Sequence, residues 1–236
     1  RHSYAPNKLR YCGAADYSQK IESYVKTRDA QLESALRADY ATLTAAYHYL
    51  KLIADANRLD VFDERVAEAY WIGNDLLEQV KTEDVKNLFL GRFAQSDYWG
   101  TELANEFAAR IPSAAVAHHS FHVFYTHFMS AGLANTLTNL DNCRIAGAKV
   151  IEIQKNNLLV EYDSLEIENQ KMALGKTIQK MISKPFDDAL AAGDWISMHW
   201  NTYCMKISEQ QRKNLEYYTA LNMRAVNALP LSSSDA

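Results

Sequence analysis

The chain has 236 residues, 48% of them hydrophobic and 11% aromatic, which is enough to bury a core as one large domain or two small ones. Its 25 basic residues against 29 acidic ones give a net charge of -4 with no basic block, so a run of phosphate contacts is excluded and no nucleic acid partner is expected. No stretch approaches the roughly 20 apolar residues of a membrane span, and Arg1-His2-Ser3-Tyr4-Ala5-Pro6-Asn7 lacks the apolar core of a secretion signal, so a cytoplasmic protein without a membrane partner is expected.

The chain opens on an irregular segment through Tyr11-Cys12-Gly13, where a loop thiol lies close in sequence to Lys8 and Arg10. From about Tyr17 to about Ala109 apolar residues recur at three and four, a helical period. Ala38, Ala41, Leu43, Ala45, Ala46, Tyr49, Leu50 and Ile53 predict one long amphipathic helix. Shorter helices follow at Val61 to Tyr70, Gly73 to Val80, Thr82 to Phe93 and Thr101 to Ala109, with Thr82-Glu83-Asp84 as a helix start and Gly73-Asn74 as a break. Residues 1–117 thus read as a helical domain with an irregular N-terminal segment.

At His118 the period changes. Phe121, Val123 and Tyr125 alternate with His122 and Phe124, which predicts a strand, followed by a linker to residue 140. His118, His119, His122 and His127 form the densest histidine group in the chain. On a strand His118 and His122 share a face, and with Cys12 or Cys143 they would complete a metal site; structural histidines at a domain junction are the alternative.

Further strands are predicted at Ala148 to Ile153, Leu158 to Tyr162 and Gly175 to Ile182, with a tight turn at Asn156-Asn157. Lys184 to Gly193 reads as a loop, and Trp195 to His199 with Tyr203 to Ile207 as the last hairpin. Ser208 and Gln211 form a capping box that starts a helix running to about Asn227, and residues 230–236 are a small polar tail. Cys12, Cys143 and Cys204 are odd in number and widely separated, which points to free thiols. The chain carries no nucleophile elbow, phosphate loop or spaced carboxylate pair, so a non-enzymatic role is expected.

Two motifs supply a family resemblance. Asn142-Cys143 and the run to Val150 resemble the Met-Cys…Pro-Gly-x-Val opening of the HypC/HupF family of NiFe-hydrogenase maturation chaperones, with Gly147-Ala148 in place of Pro-Gly. Gly193-Asp194-Trp195-Ile196-Ser197-Met198-His199, ahead of the capped helix, resembles the family's later Gly-Asp-Tyr-Val-x-Val-His; the match spans about Asp141 to Tyr218. The resemblance implies an α+β chain in which the helical domain precedes a small OB-like β-barrel over 141–229, closed by the C-terminal helix. It further implies an accessory protein of metallocentre assembly: Cys143 and His199 would hold an iron group carrying cyanide and carbon monoxide, and the client would be a NiFe-hydrogenase large subunit or maturation factor. The competing readings are a metal- or cofactor-binding protein built on the His118–His127 strand, and a structural subunit that keeps the barrel as an interaction module. Through Tyr4 to Gly13 and Tyr70-Trp71-Ile72-Gly73-Asn74 the whole chain is also similar to a prokaryotic family without an assigned function.

Overall fold

Short polar side chains cap three of the α-helices, at Asp29, Asp63 and Ser208. The computed structural model describes residues 1–43, 45–96, 99–127, 137–169 and 171–229, and only the backbone of His127. Tyr4–Lys8 is a short helix, α1, where an irregular segment was expected; it buries Tyr4, Ala5, Pro6 and Asn7. α2 (Tyr17–Thr27) follows, and then α3 (Ala30–Tyr40), whose cap Asp29 accepts from the amides of Gln31 and Leu32. The single long helix expected across Ala38 to Ile53 is divided into α3 and α4 (Ala46–Asn57). The Thr42 hydroxyl donates to the Asp39 carbonyl at 2.7 Å as α3 ends, and Leu43 turns into the core.

α5 (Glu64–Trp71) starts at the Asp63 cap and ends before Gly73, as the sequence indicates, and a single 3-10 turn occupies Asp75–Gln79. α6 (Thr82–Leu88) continues into a π turn over Phe89–Phe93, and α7 spans Gly100–Arg110. The strand expected from His119 is helical: α8 (His119–Phe121) runs into a π turn over His122–His127, and the His118 ring caps it by accepting from the Ser120 amide. Phe121, Val123, Phe124, Tyr125 and Thr126 are all buried, so this segment has no polar face, and its chance alternation imitates a strand. Of the linker placed after it, 128–136 lie outside the described residues, and α9 (Leu137–Cys143) follows.

The five strands β1 (Ala146–Gln154), β2 (Asn157–Glu168), β3 (Lys171–Ser183), β4 (Trp195–His199) and β5 (Thr202–Lys206) close in the order β1-β2-β3-β5-β4. β4 pairs antiparallel with both β1 and β5, and the ring closes through a parallel contact at Ser183 and Thr202. The first hairpin turns at Lys155-Asn156, one residue earlier than expected. The last turns at Trp200 and Asn201, with φ of 50° and 54°, a left-handed pair that matches the twist of a tight hairpin. Ala148, Val150, Leu158, Val160, Ile182, Ile196 and Tyr203 fill the interior, joined by Tyr4, Tyr17 and Ile21 from α1 and α2.

α10 (Glu209–Asn227) begins at the expected capping box, Ser208 with Gln211. It sends Leu215, Tyr218, Met223 and Val226 into the core that α4 to α8 build, and Ile145, Leu165 and Met172 from the barrel side join the same cluster. The mixed α+β class holds. The boundary expected at residue 117 falls inside a continuous core, and α1 and α2 pack on the barrel instead of with a separate helical unit. The 230–236 tail lies outside the described residues.

Gly73 marks the tightest point of this assembly: its φ is +98°, and a Cβ there would stand 2.2 Å from Tyr218 Cδ2. Gly73→Ala is expected to lower unfolding free energy by about 2–4 kcal/mol in urea titrations. Gly100→Ala, also at positive φ but facing open space, should cost only the backbone strain, about 1 kcal/mol.

Candidate metal centre

The site lies where the barrel meets the helices, and each of its side chains arrives at the end of an element. Cys143 is the last residue of α9, three positions ahead of β1; His199 closes β4; His119 opens α8. One ligand atom from each of these three residues lies within 4.8 Å of the other two. Zinc-class bonds of about 2.0–2.3 Å place tetrahedral ligands roughly 3.3–3.7 Å apart, so a side-chain-scale contraction of about an ångström closes the set on an ion.

Each ring is oriented by a second contact. The Nδ1 of His199 donates to the His2 carbonyl at 2.6 Å, which leaves the Nε2 lone pair as the coordinating position, and that atom is buried without a hydrogen-bond partner. A ligand imidazole is usually held this way, with its second nitrogen bound to a carbonyl. His119 Nδ1 meets the Tyr70 hydroxyl at 3.1 Å and its Nε2 faces the Cys143 carbonyl at 3.0 Å, so one of these bonds is exchanged when the ring binds an ion. His2 Nε2 pairs with Ser197 Oγ at 3.0 Å, which stitches the chain's start to β4.

Trp71 stands at the centre of these rings. His2 stacks on it at 5.3 Å, His119 lies 4.7 Å away, and His199 lies 5.9 Å away. The His119 and His199 rings cross edge to face at 5.2 Å. Burial holds all of them neutral: His2 and His119 sit well below the usual imidazole value, His118 is lowered to about 3 and His199 to about 4. For His199 the hydrogen bond to the His2 carbonyl opposes the burial without overcoming it. Burial also pushes the Cys143 thiol up to about 12, against a weaker pull from the Trp200 side chain. An unloaded centre is therefore a thiol with neutral imidazoles, and an ion must displace the thiol proton.

Cys143 and His199, paired from the sequence, do meet. His118 and His122 do not join them. His118 caps its own helix through Ser120 and stacks on Tyr218 at 6.0 Å, while His122 meets Tyr49 at 5.7 Å and the Thr126 hydroxyl at 3.2 Å. The shared strand face expected of them does not form: His118 is the cap ahead of α8 and His122 opens the π turn, each held by its own partners. Cys12 is half-buried in the turn after α1. His119 is the ligand that spacing did not single out, although it belongs to the dense histidine group.

A ring of strands wrapped by helices, with a buried His-Cys-His cluster at their seam, is the class of protein that these features define. Over residues 1–233 the chain matches the family of unknown function DUF6390, and it belongs to that family. No curated protein and no solved structure matches it.

The depressed imidazoles make the metal-free fold acid-sensitive. Unfolded histidines take up protons as pH falls through about 6.5, whereas His199 stays neutral in the fold down to about 4, so the unfolded state binds more protons in that window. Urea midpoints are expected to be flat from about pH 7 to 8, to fall between pH 6.5 and 4, each such ring contributing up to about 1.4 kcal/mol per pH unit, and to fall again above about pH 8.5, where unfolded thiols ionise and the buried ones do not. His199→Gln should flatten the acid slope by one proton.

Proposed function

We propose that the protein is a metal-binding accessory protein that holds one transition-metal ion between His119, Cys143 and His199 for a protein client. The reading rests on one observation: a thiol and two neutral imidazoles converge from segments far apart in sequence, and one imidazole carries a buried lone pair with no other partner. A thiolate with imidazoles suits ferrous, cuprous and zinc-class ions and disfavours magnesium or calcium. The role is binding and transfer, not catalysis.

Cys143 directly ahead of the first strand, His199 at the end of the fourth, and a capped helix after the fifth support kinship with the OB-like barrel of the HypC/HupF hydrogenase-maturation chaperones. On that reading the cargo is iron carrying cyanide and carbon monoxide, and the client is a NiFe-hydrogenase large subunit or a maturation factor. Three free thiols suit the reducing cytoplasm.

Metal titration of the purified protein tests the site. One equivalent of Zn²⁺ or Fe²⁺ should bind, and Cys143→Ser and His199→Gln should each weaken binding by about 100-fold or more, since lesser changes around a ligand already cost about 10- to 100-fold. His122→Gln should bind as the wild type does. Wild-type protein that takes up no metal, or a Cys143→Ser variant that binds equally well, would sink the reading. For the cargo, infrared spectra of protein drawn from hydrogenase-maturing cells should show cyanide and carbonyl bands; metal-loaded protein without them removes the iron-carrier role and leaves the metal site.

A further inference from the structure

The two imidazoles of the centre are not equally ready for an ion. His199 spends its Nδ1 proton on the His2 carbonyl and keeps a free lone pair on Nε2. His119 has both nitrogens engaged: Nε2 lies 3.0 Å from the Cys143 carbonyl, and Nδ1 lies 3.1 Å from the Tyr70 hydroxyl. The ring is buried and neutral, so it carries a single proton. A carbonyl only accepts, which puts that proton on Nε2 and makes the Tyr70 hydroxyl the donor to Nδ1.

The nitrogen of His119 that faces Cys143 is therefore the protonated one, and a protonated ring nitrogen has no lone pair for a metal. Its other lone pair is taken by Tyr70. That hydroxyl is held there by packing as well as by the hydrogen bond. Tyr70 is 0% exposed, its ring stacks on Tyr49 at 5.5 Å, and it meets the edges of Trp71 at 4.7 Å and His119 at 5.4 Å. Among the described residues, Nδ1 of His119 is the one hydrogen-bond partner of the Tyr70 hydroxyl.

We propose that Tyr70 is a positioning residue that keeps His119 in its non-coordinating tautomer until an ion arrives, so that the centre loads in two stages. Cys143 and His199 take the ion first, and His119 closes on it through Nε2 once its proton has been exchanged for one on Nδ1. This rests on the metal site proposed above. In the closed state Nδ1–H donates to the Tyr70 oxygen, which changes from donor to acceptor. The protons balance: one leaves Nε2, one arrives at Nδ1, and the net release to solvent is the thiol proton of Cys143. The reversed hydroxyl gives up the one acceptor that the structure provides for it, and a buried donor without an acceptor is a standing cost. His119 is thus the bond that opens first, leaving the ion on Cys143 and His199 with the remaining positions of a tetrahedron available to a recipient.

Nitrogen NMR of histidine-labelled full-length protein reads the tautomers, with the His119 signals identified by their loss in His119→Gln. Metal-free wild type should show His119 as the Nε2–H form, and one equivalent of Zn²⁺ should convert it to Nδ1–H with a metal-shifted Nε2; His199 should remain Nδ1–H throughout. Tyr70→Phe, checked for folding by its urea midpoint in chelator, should weaken zinc binding about tenfold or more. In a His119→Gln background the same substitution should change affinity by about twofold or less, because the ring it positions is gone. A metal-free His119 already in the Nδ1–H form, a zinc-loaded His119 that keeps Nε2–H, or a Tyr70→Phe loss undiminished in the His119→Gln background would overturn the two-stage loading while leaving the three-residue site intact. Wild-type protein that takes up no zinc would overturn the metal site and the loading with it.

Discussion

The burial of uncharged histidine around Trp71 is the constraint on which the rest of the structure turns. Trp71 comes from α5, His119 from α8, His199 from β4 and His2 from the chain's start, so none can be placed until helices, barrel and N-terminal segment have docked together. A charged imidazole in that box would face several kcal/mol of desolvation with no carboxylate within the ring cluster to offset it. The rings are therefore kept neutral and are satisfied by carbonyls and hydroxyls: His2 O, Cys143 O, Tyr70 OH and Ser197 Oγ.

Backbone strain accumulates on the same side. Trp200 adopts a left-handed conformation that bulky residues avoid, and Arg10 does so in the turn whose Tyr11 ring packs on it. Strained positions persist where the surroundings over-determine them. Here the determinants are the Asn142 carbonyl on the Trp200 amide, the Tyr11 ring on the Trp200 ring, and Asn7 on the turn. The hairpin turn that ends β4 thus also places an aromatic cover beside Cys143.

The three misplacements from sequence have separate causes. Periodicity reports on contrast between a wet face and a dry one. From His119 to Thr126 every residue but His122 is buried, so the pattern there carried aromatic alternation in place of a helical stripe. The long helix expected from Ala38 to Ile53 failed for a subtler reason: its apolar spacing is helical on both sides of Leu43, but the core draws Leu43 itself inward between two helices. The α1 turn was missed because five residues with a proline carry too little pattern to register.

From residue order alone came the free thiols, the approximate strand positions from Ala148 onward and the Ser208 capping box, and a motif resemblance supplied the pairing of Cys143 with His199. All of these rest on local chemistry or on motifs contiguous in the chain. Only the tertiary structure decided that His119 joins that pair, that the N-terminal segment packs into the barrel's own core, and that Ile145, Leu165 and Met172 from the barrel side join the core of the helices. Those outcomes depend on contacts between residues as much as 197 positions apart, such as His2 with His199, and no local pattern encodes which distant ring a buried ring will meet.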